Sequence, residues 1–460
     1  MKSACQLGIV GGGLLGLTLA LRAAERGCRV TVLEAADRLG GLADAWQLGN
    51  VTWDRHYHVT LLSDTALRRL LADLGLEADL VWRQTRTGFY INGRLHSLSS
   101  TAEFLRFPAL RLDERLRLAW TIFYASRIRD WQALEQIPVG DWLRRHSGER
   151  TFARIWLPLL QAKLGSAWER TSAAFIWATI QRMYAARRTG LKKEMFGYVR
   201  GGYARVLARL RERLTELGVE IHTGARVSRI APAAPHGLAV ATAAGEQLAF
   251  ELVAVTAPPP VAARLCSALS EPERQRLERI EYLGIVCASL LLRRPLAGYY
   301  VTNVADAAPF TGVIEMTALV QPEELAGQHL VYLPKYVTRD DATFEQSDDA
   351  LRASFLTALA RIYPQFRETD VAAFRVSRVR HVFALPTLGY SQQVPPVATS
   401  VPGLFLVNSA QIVNSTLNVN QTVRLAEEAV DTLLAPLPPA VRSLKQHHDP
   451  APRELVARLG

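Results

Sequence analysis

The sequence predicts an α/β fold that begins with a βαβ unit, and three observations near its start support this prediction. Gln6–Val10 and Arg29–Leu33 have the short apolar, partly β-branched pattern of buried strands. Between them, Leu17–Arg26 has the apolar pattern of a helix. The turn Gly11–Gly16, between the first strand and the helix, has the spacing G-x-G-x-x-G. Together these features are typical of a Rossmann-like domain that binds a dinucleotide.

Each glycine of this turn has a distinct expected role. Gly11 permits the tight turn, Gly13 lets a pyrophosphate approach the backbone, and Gly16 lets the helix lie close to the sheet. The helix N-terminus presents free N–H groups to the phosphates. Glu34, which ends the second strand, is placed to accept hydrogen bonds from an adenosine ribose, and its charge disfavours the 2′-phosphate of NADP.

A second glycine turn follows this acid directly, in the segment Ala35-Ala-Asp-Arg38-Leu-Gly40-Gly41-Leu42. The segment resembles the flavin-dependent amine oxidase superfamily, in which an R-x-G-G turn follows the ribose-binding acid and runs beside the FAD pyrophosphate and ribityl chain. Within the superfamily, the later segment His381-Val-Phe-Ala-Leu-Pro386-Thr-Leu-Gly-Tyr390 is most similar to the protoporphyrinogen oxidase and phytoene desaturase branch. The resemblance implies FAD, rather than NAD, as the cofactor.

Later segments extend the resemblance over roughly residues 6–433. A Gly201-Gly202 turn precedes an amphipathic helix and two strands, and the resemblance implies that the Val227 backbone meets the FAD adenine. Asn408-Ser409 stands where the family has Gly-Asp, so Ser409 is a weaker, neutral partner for a ribityl hydroxyl. The helix from about Gln421 to Leu433 either points its N–H groups at the flavin or follows a simple capped turn. The expected cofactor-binding residues are Gly11, Gly13, Leu14, Leu15, Gly16, Glu34, Ala35, Arg38, Gly40, Gly41, Leu42, His56, Val227, Ser409, Leu417 and Asn418.

The resemblance also implies a domain organisation: a GR2-type, Rossmann-like FAD-binding domain, an interleaved α+β substrate domain and a helical cap. The FAD-binding domain is expected to be discontinuous, with residues 1–82, 201–280 and 391–435. Residues 83–200 are expected to form the helical part of the substrate domain and residues 281–390 its sheet part. Residues 436–460 are expected to form a tail.

No catalytic base stands out in the sequence. His56 and Tyr390 are the candidates. On a strand, His56 and His58 would share one face, an arrangement that could bind a metal. No third or fourth ligand is near in the sequence, so a metal site is not expected. The two histidines are instead expected to be polar residues beside the flavin or a structural pair. Amine oxidases usually have a lysine in the strand predicted over residues 280–292, where this chain has Cys287 and Ala288, and this departure argues against amine oxidation.

The predicted function is that of an FAD-dependent oxidoreductase. As an oxidase, dehydrogenase or desaturase, it would take a hydride or two electrons from a largely apolar small molecule. One alternative is a non-redox, flavin-dependent mutase or isomerase acting on a nucleotide-linked sugar. The other alternative is a flavin-binding protein without chemistry of its own. Asn408-Ser409, in place of the family's Gly-Asp, is consistent with this alternative.

Composition limits the partners and the location. The chain has 460 residues, 49% of them hydrophobic, and a formal charge of +11 that comes mainly from dispersed arginines. It has no lysine-rich run, so no nucleic-acid partner is expected. The four cysteines match no metal spacing, and a reducing compartment is favoured. The sequence shows neither a signal peptide nor a membrane-spanning run, so we expect a cytoplasmic protein. Peripheral contact with the cytoplasmic face of the membrane is an open question. The sequence gives no expectation about the oligomeric state.

A basic, amphipathic helix is predicted over about residues 110–129. Its apolar face comprises Leu112, Leu116, Ala119, Trp120 and Phe123. The arginines around it are Arg106, Arg111, Arg115, Arg117, Arg127 and Arg129. The helix either lies at a membrane surface or packs on its own domain with a solvated basic face, and we favour packing.

Other residues of the predicted substrate domain are candidates for substrate contact. Lys192, Lys193 and Arg200 either contact an anionic substrate group or face solvent. The tryptophans of the region are expected to be core residues rather than the lining of a tunnel: Trp131, Trp142, Trp156, Trp168 and Trp177.

Overall fold

A computed structural model of the protein describes residues 5–185, 195–413 and 415–435. Within these ranges, five parallel strands form a sheet, which confirms the α/β prediction. Their spatial order is Glu220–His222, Arg29–Leu33, Gln6–Val10, Leu252–Val255 and Leu404–Leu406. The strands come from three distant stretches of the chain, so this sheet is assembled from discontinuous segments.

The two faces of the parallel sheet carry different layers. One face packs against the helices Leu14–Ala24, Thr65–Asp73, Gly202–Glu216 and Val419–Leu434. The other face packs against an antiparallel sheet and two short helices. These elements are the strands Val227–Pro232, Leu238–Thr242 and Gln247–Phe250 and the helices Pro259–Leu265 and Glu271–Glu278. Because apolar side chains point alternately to both faces, the sheet is buried on both sides.

A second large sheet is mixed and, in the described part of the chain, has seven strands. In spatial order they are Val371–Ala384, Tyr282–Leu292, His329–Thr338, Gly312–Glu315, Val301–Val304, Thr87–Ile91 and Arg94–Ser97. The last two strands come from the segment that was predicted to be helical. The missed signal is Asn92-Gly93, a two-residue hairpin turn in which both residues have positive φ.

The remaining elements connect and cover these sheets. Two small sheets consist of the strands Ala45–Leu48 and Val51–Asp54, and of Thr60–Leu61, Met195–Val199 and Leu80–Gln84. The other helices are Thr101–Leu105, Leu112–Arg127, Trp131–Glu135, Val139–Ser147, Glu149–Thr151, Leu157–Leu164, Ala173–Ala185, Asp348–Ile362 and Tyr390–Gln393. No helix among the residues described combines the length and the hydropathy needed to cross a bilayer.

Two predicted helix starts were placed too late. The first helix begins at Leu14, directly after Gly13, rather than at Leu17. The last begins at Val419 because the Asn418 side chain accepts a hydrogen bond from the Gln421 N–H at 3.1 Å and so caps the helix.

The favoured interpretation of the basic helix was wrong. In the helix Leu112–Arg127, the apolar residues point outwards, and Leu112, Leu116 and Trp120 are each more than half exposed. The side that faces the protein is mixed: Leu118 and Ala125 join the helical core, and Thr121 and Ser126 are buried beside them. There Ser147 Oγ donates to Thr121 Oγ1 at 3.0 Å, so the contact is made by hydrogen bonds as well as by packing.

Four of the five tryptophans lie in or against the helical core, as predicted. Trp142 and Trp156 are buried in the helical core, and Trp168 and Trp177 pack against that core. Arg200 is exposed. Lys192, Lys193 and the tail 436–460 lie outside the described residues.

A buried ion pair joins the helix Ala173–Ala185 to the loop after Thr60–Leu61. Arg182 donates to the two Asp64 carboxylate oxygens at 2.8 and 3.1 Å, and Asp64 also accepts from the Leu61 N–H at 2.8 Å. We predict that Asp64→Ala lowers the free energy of unfolding by about 3 kcal/mol, because the guanidinium stays buried without its partner. Urea denaturation would measure this loss.

The matched control is the exposed pair Arg424–Glu428 on the last helix. Glu428→Ala should cost less than about 1 kcal/mol, since solvent screens exposed pairs. Equal losses in the two variants would contradict the prediction.

Candidate active site

A cavity of about 810 Å³ lies where the parallel sheet meets the mixed sheet. Val10 and Leu33, at the carboxyl ends of two central parallel strands, line one side of it. Ile285, Tyr336 and Val382, from three strands of the mixed sheet, line the other. Ligands of open α/β sheets bind at this edge, and the volume is in the usual range for a ligand cavity.

Two glycine turns form the floor of the cavity and touch each other. Gly40 N–H donates to the Gly12 carbonyl at 2.9 Å, and a Cβ on Gly41 would lie 3.2 Å from Gly13 Cα. Gly11 has φ +119°, and a Cβ there would lie 2.2 Å from Thr256 Oγ1. The backbone is therefore bare where a pyrophosphate would have to approach it.

Glu34 is fixed beside these turns. Its Oε2 accepts a hydrogen bond from the Gly12 N–H at 2.6 Å, and its Oε1 accepts one from the Ala36 N–H at 2.8 Å. Each carboxylate oxygen keeps a free lone pair. The carboxylate is thus oriented in advance to accept ribose hydroxyls without a change of rotamer.

Most of the predicted cofactor-binding residues line this one cavity. They are Gly11, Gly13, Leu14, Leu15, Glu34, Ala35, Gly40, Gly41, Leu42, His56, Val227, Ser409, Leu417 and Asn418. They come from segments far apart in sequence, and the fold brings them together. Asn414, from the polar cluster near Asn418, lies outside the described residues.

Gly16, Arg38 and Tyr390 are not among the lining residues. Gly16 supports the turn from behind, since a Cβ there would lie 2.0 Å from the Gly11 carbonyl oxygen. Arg38 binds Asp44 and the Ala45 carbonyl.

Tyr390 is buried, and its hydroxyl donates to the Ala410 carbonyl at 2.8 Å. The structure therefore places this candidate base away from the cavity, in a structural hydrogen bond.

His56 lines the cavity, but both of its ring nitrogens have partners. Nδ1 lies 3.2 Å from the Leu42 carbonyl, which can only accept, so Nδ1 carries the proton. Nε2 then accepts from the Ser377 hydroxyl at 3.2 Å. Burial, reinforced by His58, lowers the pKa of His56 to about 3. A neutral imidazole with no free nitrogen positions Leu42 and is a poor general base.

His56 and His58 do not share a strand face, as the metal interpretation required. The strand Val51–Asp54 ends before them. His58 also lines the cavity, where its ring lies 4.7 Å from that of Tyr203 and Nδ1 lies 3.5 Å from Asp54 Oδ2. Among the residues described, no group of three or more His, Cys, Asp or Glu could hold a metal ion.

Sequence reasoning missed a polar group at the far end of the cavity. The Tyr57 and Tyr336 hydroxyls are 2.9 Å apart, and Lys163 Nζ lies 3.3 Å from the centroid of the Tyr336 ring. All three residues line the cavity. Burial raises the pKa of Tyr57 well above its usual value, so its hydroxyl stays protonated. Nothing in the sequence links these positions, which lie on a loop, a strand and a helix.

His381 is a second residue that sequence reasoning missed. It lines the cavity, and its Nε2 has no hydrogen-bond partner among the described residues. Burial, followed by the charges of Arg339, Arg264 and Arg380, lowers its pKa, so the imidazole is neutral at pH 7. An unpartnered nitrogen on a neutral ring makes His381 a candidate proton acceptor.

The strand Tyr282–Leu292 presents a different residue from those expected. Ile285, rather than Cys287 or Ala288, lines the cavity. Cys287 and Ala288 are fully buried in two separate core clusters.

We predict that Glu34→Ala weakens FAD binding by about 10- to 150-fold, the equivalent of one charge-assisted hydrogen bond. Titration of the apoprotein, followed by quenching of flavin fluorescence, would measure the dissociation constant. Glu246→Ala, at an exposed turn of the small antiparallel sheet, is the control and should leave it unchanged. If both variants bind FAD like the parent, Glu34 has no part in cofactor binding.

The low pKa of His56 predicts acid sensitivity. Unfolded His56 titrates near its ordinary 6.5, whereas in the fold it titrates at about 3. Below pH 6.5 the unfolded state binds a proton that the native state excludes, so stability falls as the pH falls towards 3.

We predict that this group contributes a loss of about 2 kcal/mol between pH 7.5 and 5.0. His56→Asn, whose amide can still donate to Leu42, should remove that part of the loss in urea denaturation at the two pH values. An unchanged pH dependence in the variant would overturn the assignment.

Comparisons with known proteins agree with this geometry. The sequence profile of the flavin-containing amine oxidoreductases matches residues 16–432. Coproporphyrinogen III oxidases of Mycobacterium bovis and Mycobacterium tuberculosis are 30% identical over 216 residues, which cover 42% of this chain and 48% of each relative. The chain thus spans about half the length of the curated relatives it matches.

Solved structures show the same fold. A protoporphyrinogen oxidase-like protein from Exiguobacterium sp. 255-15 has a TM-score of 0.75 at 21% identity and covers 95% of this chain and 100% of its own. Putrescine oxidase bound to putrescine has a TM-score of 0.75 at 18% identity, over 94% of this chain and 99% of its own.

The residues present fit the cofactor that this family uses. The touching glycine turns leave a cradle that any Cβ would fill, and Glu34 is fixed at the ribose position. The residues that would hold FAD are those that line the cavity from Val10 to Leu42, together with Val227 and Ser409. The chain belongs to the flavin-containing amine oxidoreductase family.

Proposed function

We propose that this enzyme takes two electrons from an amphipathic small molecule that carries anionic groups, and that coproporphyrinogen III is the first substrate to test. The curated relatives that match part of the chain bear that substrate in their name. The walls of the cavity are largely apolar, which suits the body of such a molecule.

The observation that carries the proposal is the cationic end of the cavity. Lys163 Nζ stands over the Tyr336 ring, and the Tyr336 hydroxyl lies next to that of Tyr57. An ammonium and two hydroxyls can bind a carboxylate, and they lie across the cavity from the glycine turns. A substrate anchored there would extend towards the middle of the cavity.

When bound, FAD supplies the acceptor for a hydride or two electrons. The protein residues orient the substrate, exclude water and manage the proton. His381 is neutral, and its Nε2 is unpartnered, so we assign it the proton that leaves the substrate with the electrons. His56 is ruled out for that role, because both of its nitrogens are engaged.

The cytoplasm is the proposed location. All four cysteines are free thiols in the fold, which is typical of proteins from a reducing compartment.

The test is the absorbance spectrum of the purified protein under anaerobic conditions. Coproporphyrinogen III should bleach the flavin bands without dithionite, and air should restore them. If dithionite bleaches the flavin but no porphyrinogen does, coproporphyrinogen III is not the substrate. The assignment as an FAD-dependent oxidoreductase would still stand.

Two further outcomes address the alternatives. A flavin that must be reduced for turnover but is not consumed would favour the mutase.

Ser409 lines the cavity, and its Oγ lies 3.1 Å from the Tyr282 hydroxyl, so the replacement of Gly-Asp leaves a polar contact there. A bound flavin that dithionite cannot reduce would favour a protein without its own chemistry.

We predict that His381→Asn lowers kcat by about 10²- to 10⁴-fold, because the proton acceptor is lost while the cavity keeps its shape. Tyr390→Phe is the control, since its hydroxyl lies outside the cavity, and its kcat should stay within about twofold. Anaerobic stopped-flow measurement of flavin reduction gives both rates. Equal rates for the His381 variant and the parent would remove His381 from the mechanism.

A further inference from the structure

The helix Leu112–Arg127 carries a large apolar surface that no described element covers. Its outward face, here called the 112–124 face, consists of Leu112, Leu116, Trp120, Phe123 and Tyr124. Their exposed fractions are 62, 59, 58, 42 and 39%. At 100° per residue these side chains fall within one side of the helix, so they form a continuous stripe.

This concentration is unusual for the rest of the molecule. The exposed large apolar side chains of the described chain are Leu105, Leu112, Leu116, Trp120, Phe123, Tyr124, Met183 and Leu388. Six of these eight lie between residues 105 and 124. Apolar surface gathered on one helix marks an interaction site, whereas single exposed residues need no explanation.

The stripe is held rigidly. On the opposite side of the helix, Ser147 Oγ donates to Thr121 Oγ1 at 3.0 Å, and Gln181 Nε2 donates to the Ala125 carbonyl at 2.9 Å. The aromatic residues also pack on one another. The ring centroid of Trp120 lies 5.8 Å from that of Phe123 and 6.4 Å from that of Tyr124. The face is therefore displayed by the fold, with its inner side fixed to the domain.

Positive charge surrounds the stripe. Exposed arginines flank it on both ends: Arg106, Arg111, Arg117, Arg127 and Arg129. The Arg127 guanidinium lies 4.9 Å from the centroid of the Phe123 ring, so its stem follows the apolar surface while its charge stays in water. Of the nearby acids, Glu114 is buried and paired with Arg150, the exposed Asp113 lies 3.6 Å from Arg111, and Asp130 is exposed beyond the end of the helix.

We propose that the 112–124 face docks this enzyme on an anionic lipid surface. The apolar and aromatic side chains would enter the boundary between headgroups and acyl chains, and the arginines would meet the lipid phosphates. A second copy of the chain is a poorer occupant, because a twofold contact on this face would bring two arginine rims together.

The test is sedimentation of the flavin-loaded, full-length protein with sucrose-filled vesicles. One set contains phosphatidylcholine and phosphatidylglycerol in equal amounts, and the other contains phosphatidylcholine alone. We expect association with the anionic vesicles to be at least about tenfold stronger and to weaken as salt is added.

Three variants separate the contributions. Trp120→Glu should abolish sedimentation, and the double variant Arg127→Gln, Arg129→Gln should reduce the preference for anionic vesicles. Leu388→Glu, at an exposed apolar residue outside the face, is the matched control and should bind like the parent. The flavin spectrum of each variant checks that the fold is intact.

Several results would overturn the proposal. Absence of vesicle binding would do so, as would equal binding to the two vesicle types or binding that survives Trp120→Glu. If light scattering instead shows a dimer that Trp120→Glu dissociates, the face belongs to a contact between two copies.

Discussion

The structure depends on a contact between two stretches of bare backbone. Gly13 follows the first strand and Gly41 follows the second, and the two turns meet with no side chain between them. The Gly40 N–H to Gly12 carbonyl bond and the Glu34 carboxylate hold the turns in this position. A side chain on Gly41 would press on Gly13, and one on Gly13 would enter the space that a pyrophosphate needs. The parallel sheet places both turns at one edge, and the cavity opens above them.

The cavity combines two ends with different origins. The glycine turns themselves belong to one βαβ unit and the turn that follows it, so they are close in sequence, and their backbone is where a dinucleotide would bind. Val227 and Ser409 reach the same cavity from distant segments. The far end is built by long-range packing. Lys163 comes from a helix, Tyr57 from a loop and Tyr336 from a strand of the mixed sheet. The mixed sheet therefore supplies much of the wall that lies opposite the glycine turns.

The histidines show how packing assigns roles to residues of one type. His56 is closed in by Leu42 and Ser377 and serves as a neutral support. His381 is neutral for a similar reason, but its Nε2 has no hydrogen-bond partner among the described residues. Burial depresses the pKa of both rings, so the difference between support and proton acceptor lies in hydrogen-bond partners rather than in charge.

The sequence by itself determined the α/β class and the glycine turns with Glu34, because these features depend on local backbone geometry and short spacings. The choice of FAD came from the resemblance of the Arg38-x-Gly40-Gly41 turn to the amine oxidase superfamily. Val227 and Ser409, for which the resemblance implied cofactor binding, both line the cavity. The sequence misjudged Tyr390 and the outward face around Trp120, and it did not find Lys163 or His381. Only the tertiary structure decided those, because burial, hydrogen-bond partners and the side of a helix that meets the core depend on segments hundreds of residues apart.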